Sequence, residues 1–334
     1  MLCGVFVLRV TPATYRPIDI THAQRAGVAA PIPTQASVLA TLIYADLFDF
    51  PLTLDEIVRY QIGTTYSRQE IAQCVAEDPG VAPITGHDGR FYYLRGREQV
   101  CVLRDVRWRR SRRVWRRARK YIRWTARLPF VRMVAVTGAL SMNNLGARPD
   151  IDLLVVARAG RVWLCRRALI LQVRLARLFG DELCPNYVLS EARLGLDQQD
   201  LFTAHELAQM VPCYGSSVYR RMIAENKWAE VYLPMAFAQP TSGHMAQDDA
   251  PSIARRVFES TLSRPLFDGW EMWELRRLQQ KLRPVIGSAT EVVCSPDQCK
   301  GHTGLHRQSV LSRYADRLRT YGLYDTYSQF FTPQ

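Results

Sequence analysis

The sequence predicts an α+β protein in which a small module of three helices and a hairpin precedes a mixed-sheet domain and an all-helical C-terminal part. Three observations carry this. Before residue 80, apolar residues recur at helical spacing and two capping boxes mark helix starts. Two apolar β-type runs, 133–137 and 151–156, flank a glycine and a polar loop. From residue 199 onward the apolar pattern is helical.

The chain has 334 residues, enough for two or three domains, and its 48% apolar and 22% charged composition is that of a globular protein. The expected divisions are a leader or linker over 1–34, the helix-and-hairpin module over 35–100, the sheet domain over 101–198 and the helical part over 199–334. A formal charge of +13, from 44 basic against 31 acidic residues, favours polyanionic partners. Eight scattered cysteines without framework spacing read as reduced thiols, so a cytoplasmic location is expected. The apolar start is too short for a signal-peptide core, and no run of eighteen apolar residues exists, so no membrane contact is expected.

Four prolines between 11 and 34 and no apolar period make that stretch the linker. Val38, Leu39, Leu42, Ile43, Leu47 and Phe48 then share one helical face, which Pro51 ends. Thr53 with Glu56, and Ser67 with Glu70, are capping boxes that start a second and a third helix. Two apolar runs, 81–84 and 91–94, flank a turn at His87, Asp88 and Gly89. Three helices and a hairpin are the parts of a winged helix-turn-helix. The third helix, 67–77, carries Glu70 and Glu77 against one arginine, which suits a packing module better than a DNA-reading one.

From Arg104 to Arg127 stand eleven arginines and one lysine against a single acid, Asp105. Trp108, Ser111, Trp115, Ala118, Ile122 and Thr125 alternate at spacings of three and four, a seam that a helix would bury, leaving an arginine-rich face. That face is either solvated or a phosphate-contacting stripe for nucleic acid or a nucleoside triphosphate. The tryptophans are expected in the core.

The apolar run 133–137 meets Gly138, and a polar loop with Ser141, Asn143, Asn144 and Gly146 follows, an arrangement that lets backbone approach phosphate. The next strand opens with Asp150 and Asp152, which alternation turns to one face, about 7 Å apart at their Cα atoms. Such a pair calls for a cation, and a hard divalent ion such as Mg²⁺ suits it.

This stretch resembles the nucleotidyltransferase superfamily of the DNA polymerase β type, whose motif is an apolar residue, Gly, Gly or Ser, nine to thirteen residues, and then Asp-apolar-Asp/Glu-apolar. Gly138 matches the glycine, ten residues separate Ala139 from Asp150, and Asp150-Ile151-Asp152-Leu153 matches the acidic pair. The resemblance covers residues 104–210. It implies a small mixed-sheet palm in which Asp150 and Asp152 hold Mg²⁺ or Mn²⁺ and serve catalysis. Gly138, Ala139, Ser141 and Asn143 would cradle the phosphates of a nucleoside triphosphate substrate. Two departures stand out. Ala139 replaces the usual Gly or Ser, and the strand 183–189, where the superfamily carries a third carboxylate, has Asn186 instead. Asp181, Glu182 and Glu191 are the nearby acids, and Asn186 and Glu191 are the candidates for the third position.

In the C-terminal part, helices are expected over 200–211, 216–231, 252–285 and 305–321, with a polar link over 239–250. Cys294, Cys299, His302 and His306 offer a zinc-type ligand set, but compressed into thirteen residues. His205 and Glu206 form half of a metalloprotease helix motif, and Gln209 stands where the second histidine is needed, so that reading is set aside. The expected function is transfer of a nucleotidyl group to a hydroxyl acceptor. The alternative is an inactive nucleotidyltransferase-like protein that binds nucleic acid or regulates.

Overall fold

In the computed structural model the described residues are 31–238, 253–262, 266–286, 292–300 and 306–331. The chain runs through α1 (Thr34–Asp46), α2 (Leu54–Arg59), α3 (Arg68–Glu77) and the hairpin β1 (Thr85–His87) and β2 (Tyr92–Leu94). The long α4 (Gln99–Arg127) leads to β3 (Val131–Val136), α5 (Gly138–Ser141), β4 (Asp150–Ala157), α6 (Val162–Leu178) and β5 (Glu182–Ser190). Then come α7 (Leu201–Gln209), β6 (Val211–Tyr214), α8 (Ser216–Glu225), α9 (Ala229–Tyr232), α10 (Pro234–Ala238), α11 (Ile253–Leu262) and α12 (Leu266–Ile286). The hairpin β7 (Val293–Ser295) and β8 (Gln298–Lys300), α13 (His306–Thr320) and α14 (Tyr324–Tyr327) finish it. Most of the expected leader and the polar link at 239–250 lie outside the described residues.

Contacts divide the chain into two units, one holding Met1–Leu103 and Leu311–Gln334, the other Arg104–Val310. The first boundary lies close to the expected division at 100/101, and the C-terminal segment returns to the first unit.

In that first unit both capping boxes form. Thr53 and Ser67 each accept from the amide three residues on, and Glu56 and Glu70 reach back to the cap amides. Residues 81–84 are a turn rather than a strand, and the hairpin pairs Thr85 with Leu94 and His87 with Tyr92. The returning segment is fastened to α1: the Tyr314 hydroxyl donates to the Ala40 carbonyl (3.2 Å), and Arg317 and Arg97 both pair with Asp46 (2.7 and 2.9 Å).

The second unit is built on an open, mixed six-stranded sheet in the order β6-β3-β4-β5-β8-β7. Only β4 and β5 are parallel, and α6 makes the crossover between them. The protein is thus a mixed α+β fold with many helices. β4 lies between β3 and β5, and after its first three residues it is buried throughout, as an inner strand should be. The C-terminal part is not all-helical: β6, β7 and β8 join the sheet, and the helix expected over 200–211 stops at Gln209 so that Val211 can pair with Val136. Strands of three or four residues are too short to show a period of two, and β6 holds Pro212 besides.

Two buried carboxylates tie the C-terminal helices to this sheet. Glu259 of α11 accepts from the Phe130 amide (2.7 Å), from two nitrogens of Arg132 (3.1 and 2.9 Å) and from Arg255 (2.9 Å). Glu271 of α12 accepts from the Trp163 and Leu164 amides (2.8 and 2.9 Å), satisfying free donors at the start of α6.

α4 is a helix as expected, but its buried seam is Ser111, Val114, Ala118, Tyr121, Ile122 and Thr125. Trp108 and Trp124, expected in the core, are 41% and 45% exposed. A seam written at 3.5 residues per turn drifts around a real helix of 3.6, which carries Trp108 to its flank and brings Val114 and Tyr121 inward. Among the described residues no helix is long and apolar enough to cross a membrane.

Candidate metal and phosphate site

Asp150 and Asp152 open β4 with the burial pattern half-buried, buried, half-buried, so both carboxylates face the same side while Ile151 enters the core. On the neighbouring parallel strand Asp152 lies opposite Cys184 and Asp150 opposite Glu182. The ligand atoms of Asp150, Asp152 and Cys184 lie within 4.8 Å of one another, the only such cluster among the described residues.

β5 carries a bulge just past this pair: Leu153 aligns with Pro185 and Leu154 with Tyr187, so Asn186 is the extra residue. Its amide nitrogen donates to Asp152 Oδ1. Asn186 therefore occupies the position named for a third acid, as a neutral donor that steadies Asp152.

Gly138 sits at φ 63° at the end of β3, a left-handed conformation, and a Cβ there would lie 2.4 Å from Asp152 Oδ2. Only glycine lets the start of α5 come so close to the carboxylate. The Thr137 amide donates to the Asp152 carbonyl (3.1 Å), which fixes the same approach from the backbone. Ala139 is exposed, with its carbonyl accepting from the Asn144 amide (2.8 Å), and Ser141 Oγ donates to the Gly138 carbonyl (2.8 Å).

α4 clamps this loop. The Trp115 indole donates to Asn143 (3.1 Å), Arg107 to Asn144 (3.2 Å) and Arg110 to the Leu145 carbonyl (3.1 Å). Asn143 is held at φ 54°. Ser141 and Asn143 also line a cavity of about 600 Å³, whose other walls are Trp108, Arg112, Trp115, Arg116 and Arg119 of α4 and Val211.

The remaining candidate acids lie elsewhere. Glu191 follows the far end of β5, where its amide donates to the Ala157 carbonyl and its carboxylate stands 4.0 Å from Arg132. Seven strand steps from Asp150 to Ala157 put it roughly 23 Å from the aspartate pair, so it cannot be a site residue there. Asp181 is held by Tyr121 (2.8 Å) and Arg117 (3.1 Å) of α4.

A further acid whose charge is felt at the site comes from outside the matched motif. Glu206 of α7 is close enough to Asp152 to raise its pKa. Burial pushes Glu206 itself up to about 7, with Lys300 opposing. For Asp152, burial first and then the Asp150 charge raise the carboxyl to about 7, against the Asn186 hydrogen bond. Burial, with the same two aspartates, pushes the Cys184 thiol up to about 11. The sequence held one signal for Glu206, an isolated acid in an otherwise uncharged helix, LFTAHELAQ. Its neighbour His205 is buried, bonds the Leu201 carbonyl (2.9 Å) and is pushed down to about 4 by burial, as befits a neutral core histidine.

The donor set fits a divalent cation. Two half-buried carboxylates on one face, with the Asp152 carboxyl already pushed up, gain most from a cation between them. Their oxygens suit Mg²⁺ or Mn²⁺, and the protonated thiol beside them is a poor partner for Mg²⁺ but a tolerable one for a softer ion. The zinc-type set does not assemble among the described residues: Cys294 and Cys299 face each other across the β7/β8 hairpin and share a sulfur hydrogen bond, while His306 packs edge-on against Phe202 (5.7 Å). His302 lies outside the described residues.

No family model, curated protein or solved structure matches this chain.

Proposed function

We propose that the protein is a metal-dependent nucleotidyltransferase, with the second unit as its palm and the three helices and hairpin of the first as a winged-helix module. The observation that carries the reading is the Asp150–Asp152 pair with Gly138 packed against Asp152 Oδ2. An exposed pair of aspartates on a strand would need neither the glycine nor the burial. Asp150 and Asp152 hold the Mg²⁺ or Mn²⁺, and the loop of Gly138, Ala139, Ser141 and Asn143 receives the phosphates of a nucleoside triphosphate. When bound, the cation supplies charge neutralisation to the triphosphate.

In the transfer, an acceptor hydroxyl oxygen bonds to the α-phosphorus, the bond to the bridging oxygen of the β-phosphate breaks, and pyrophosphate leaves. Glu206 takes the hydroxyl proton, the task a third strand carboxylate would otherwise have. Asn186 keeps Asp152 oriented toward the cation. A second reading, a turnover-deficient binding or regulatory protein, is favoured by one observation, the amide of Asn186 where the motif expects an acid.

Incubation with each labelled triphosphate and Mg²⁺ or Mn²⁺, with Asp150→Asn in parallel, separates the two. Metal-dependent label transfer or pyrophosphate release that Asp150→Asn abolishes supports the enzyme. Triphosphate binding without turnover supports the second reading, and no metal-dependent binding of any triphosphate sinks both.

A further inference from the structure

Arg109, Arg112, Arg116, Arg119 and Arg123 recur on α4 at spacings of three, four, three and four, and all five are exposed. At 100° per residue they form one stripe, roughly 150° around the helix from the buried seam. None of the five forms an ion pair with an acid of the described residues, whereas Arg117, on the neighbouring row, pairs with Asp181. Five guanidinium groups on one helix face, without an acid partner among the described residues, repel one another and are poised for an anion.

The length of the stripe selects among anions. Arg109 to Arg123 spans about 21 Å of helix axis, longer than the three linked phosphates of one nucleotide can occupy. A polymer with a charge every few ångströms matches it. The stripe is also flanked by aromatic surface, as a sequence-tolerant single-strand site requires. Trp108 is 41% exposed in the cavity wall with Arg112 5.0 Å above its ring, and Trp124 is 45% exposed, edge-on to Tyr121 at 5.9 Å. A duplex would offer no unstacked bases to these rings.

We infer that α4 is the binding track of a single-stranded polynucleotide whose end enters the cavity beside Ser141 and Asn143. Arg109, Arg112, Arg116, Arg119 and Arg123 grip its phosphates, and Trp108 stacks on a base at the cavity mouth. The cavity shares its loop with Gly138, which packs against Asp152. The polynucleotide end is therefore the acceptor class for the transfer proposed above, and that last assignment rests on the transfer reading. The track itself does not.

The test is fluorescence anisotropy of the full chain with labelled 20-nucleotide oligouridylate and oligothymidylate from 50 to 300 mM KCl. Three to five phosphate contacts predict a log–log salt slope of about −2 to −3.5. Replacing Arg112, Arg116 and Arg119 together by Gln should weaken binding at least tenfold at 100 mM and flatten the slope by about 2. Replacing three exposed arginines elsewhere, Arg220, Arg256 and Arg313, removes the same charge and should change little. No oligonucleotide binding at 50 mM, equal effects of the two triple variants, a trinucleotide bound as tightly as the 20-mer, or tighter binding of a duplex would each overturn the track. If the wild type binds oligonucleotide as predicted and no label is ever transferred, the track stands and the transfer reading fails. If label goes to another acceptor while oligonucleotides are ignored, the track fails alone.

Discussion

Replacing Asp152 by Asn should stabilise the protein in the absence of metal. Asp152 titrates near 7 in the folded chain, against an ordinary carboxyl value of 3.8, because burial and the Asp150 charge oppose its ionisation. The folded state therefore holds a proton that the unfolded state has released, and stability falls as pH rises from about 4 to about 7. A shift of about three units corresponds to at most about 4 kcal/mol by pH 8. Asparagine removes this cost, since it carries no charge and its carbonyl oxygen still accepts from Asn186. For a unit of this size about 1 kcal/mol moves Tm by 2–4 °C. In EDTA at pH 8 the variant should thus melt several degrees above wild type, and the gap should shrink to less than half of that by pH 5, closing only below about pH 4. Added Mn²⁺ or Mg²⁺ should raise the wild-type Tm and leave the variant where it was. Calorimetry or far-UV melting at the two pH values checks this. A variant no more stable than wild type at pH 8, or a gap that persists unchanged at pH 5, would refute the argument that the pair is strained by its own charge.

Three further outcomes are expected. Gly138→Ala, which adds a Cβ 2.4 Å from Asp152 Oδ2 at φ 63°, should cost about 1–3 kcal/mol and weaken metal binding, read by denaturant unfolding and by metal titration. Asn186→Asp adds a third carboxylate beside Asp152 and should tighten divalent-ion binding severalfold while lowering metal-free stability, an opposition visible in one pair of melts with and without Mn²⁺. Burial alone would raise the pKa of Glu259, yet Arg132, the Phe130 amide and Arg255 hold it down to about 2. Its contribution is therefore complete above about 4.5 and is lost as pH falls toward 2. Glu259→Gln should cost about 3 kcal/mol at pH 7 and flatten the acid limb of the stability profile.

The loop and strand that carry the aspartates were legible because each step there is local. Alternation turns Asp150 and Asp152 to one side, and a glycine before a polar loop announces close approach. The capping boxes at Thr53 and Ser67 were legible for the same reason, since cap and partner are three residues apart. Glu206 and Cys184 were not, because their relation to Asp152 is made by sheet register and by a helix that follows the motif. Glu191 misled for the converse reason: it is near β5 in sequence but at the wrong end of the strand. The strands β6, β7 and β8 are set by pairing with β3 and β5, which three or four residues cannot announce on their own. Trp108 was assigned inward by a 3.5-residue seam that the real helix does not keep.

The first unit is closed by two stretches of chain separated by the whole of the second. The Tyr314 hydroxyl meets the Ala40 carbonyl across 274 positions. At a ribosomal rate of about 5–20 residues per second, α1 emerges roughly 15–55 seconds before the segment that completes its core is made. During synthesis the apolar face of α1 must wait, covered by its own helices and hairpin or by a chaperone, while the sheet-bearing insertion is produced. A nascent chain stalled before residue 311 should accordingly be more protease-sensitive within residues 34–103 than the released protein.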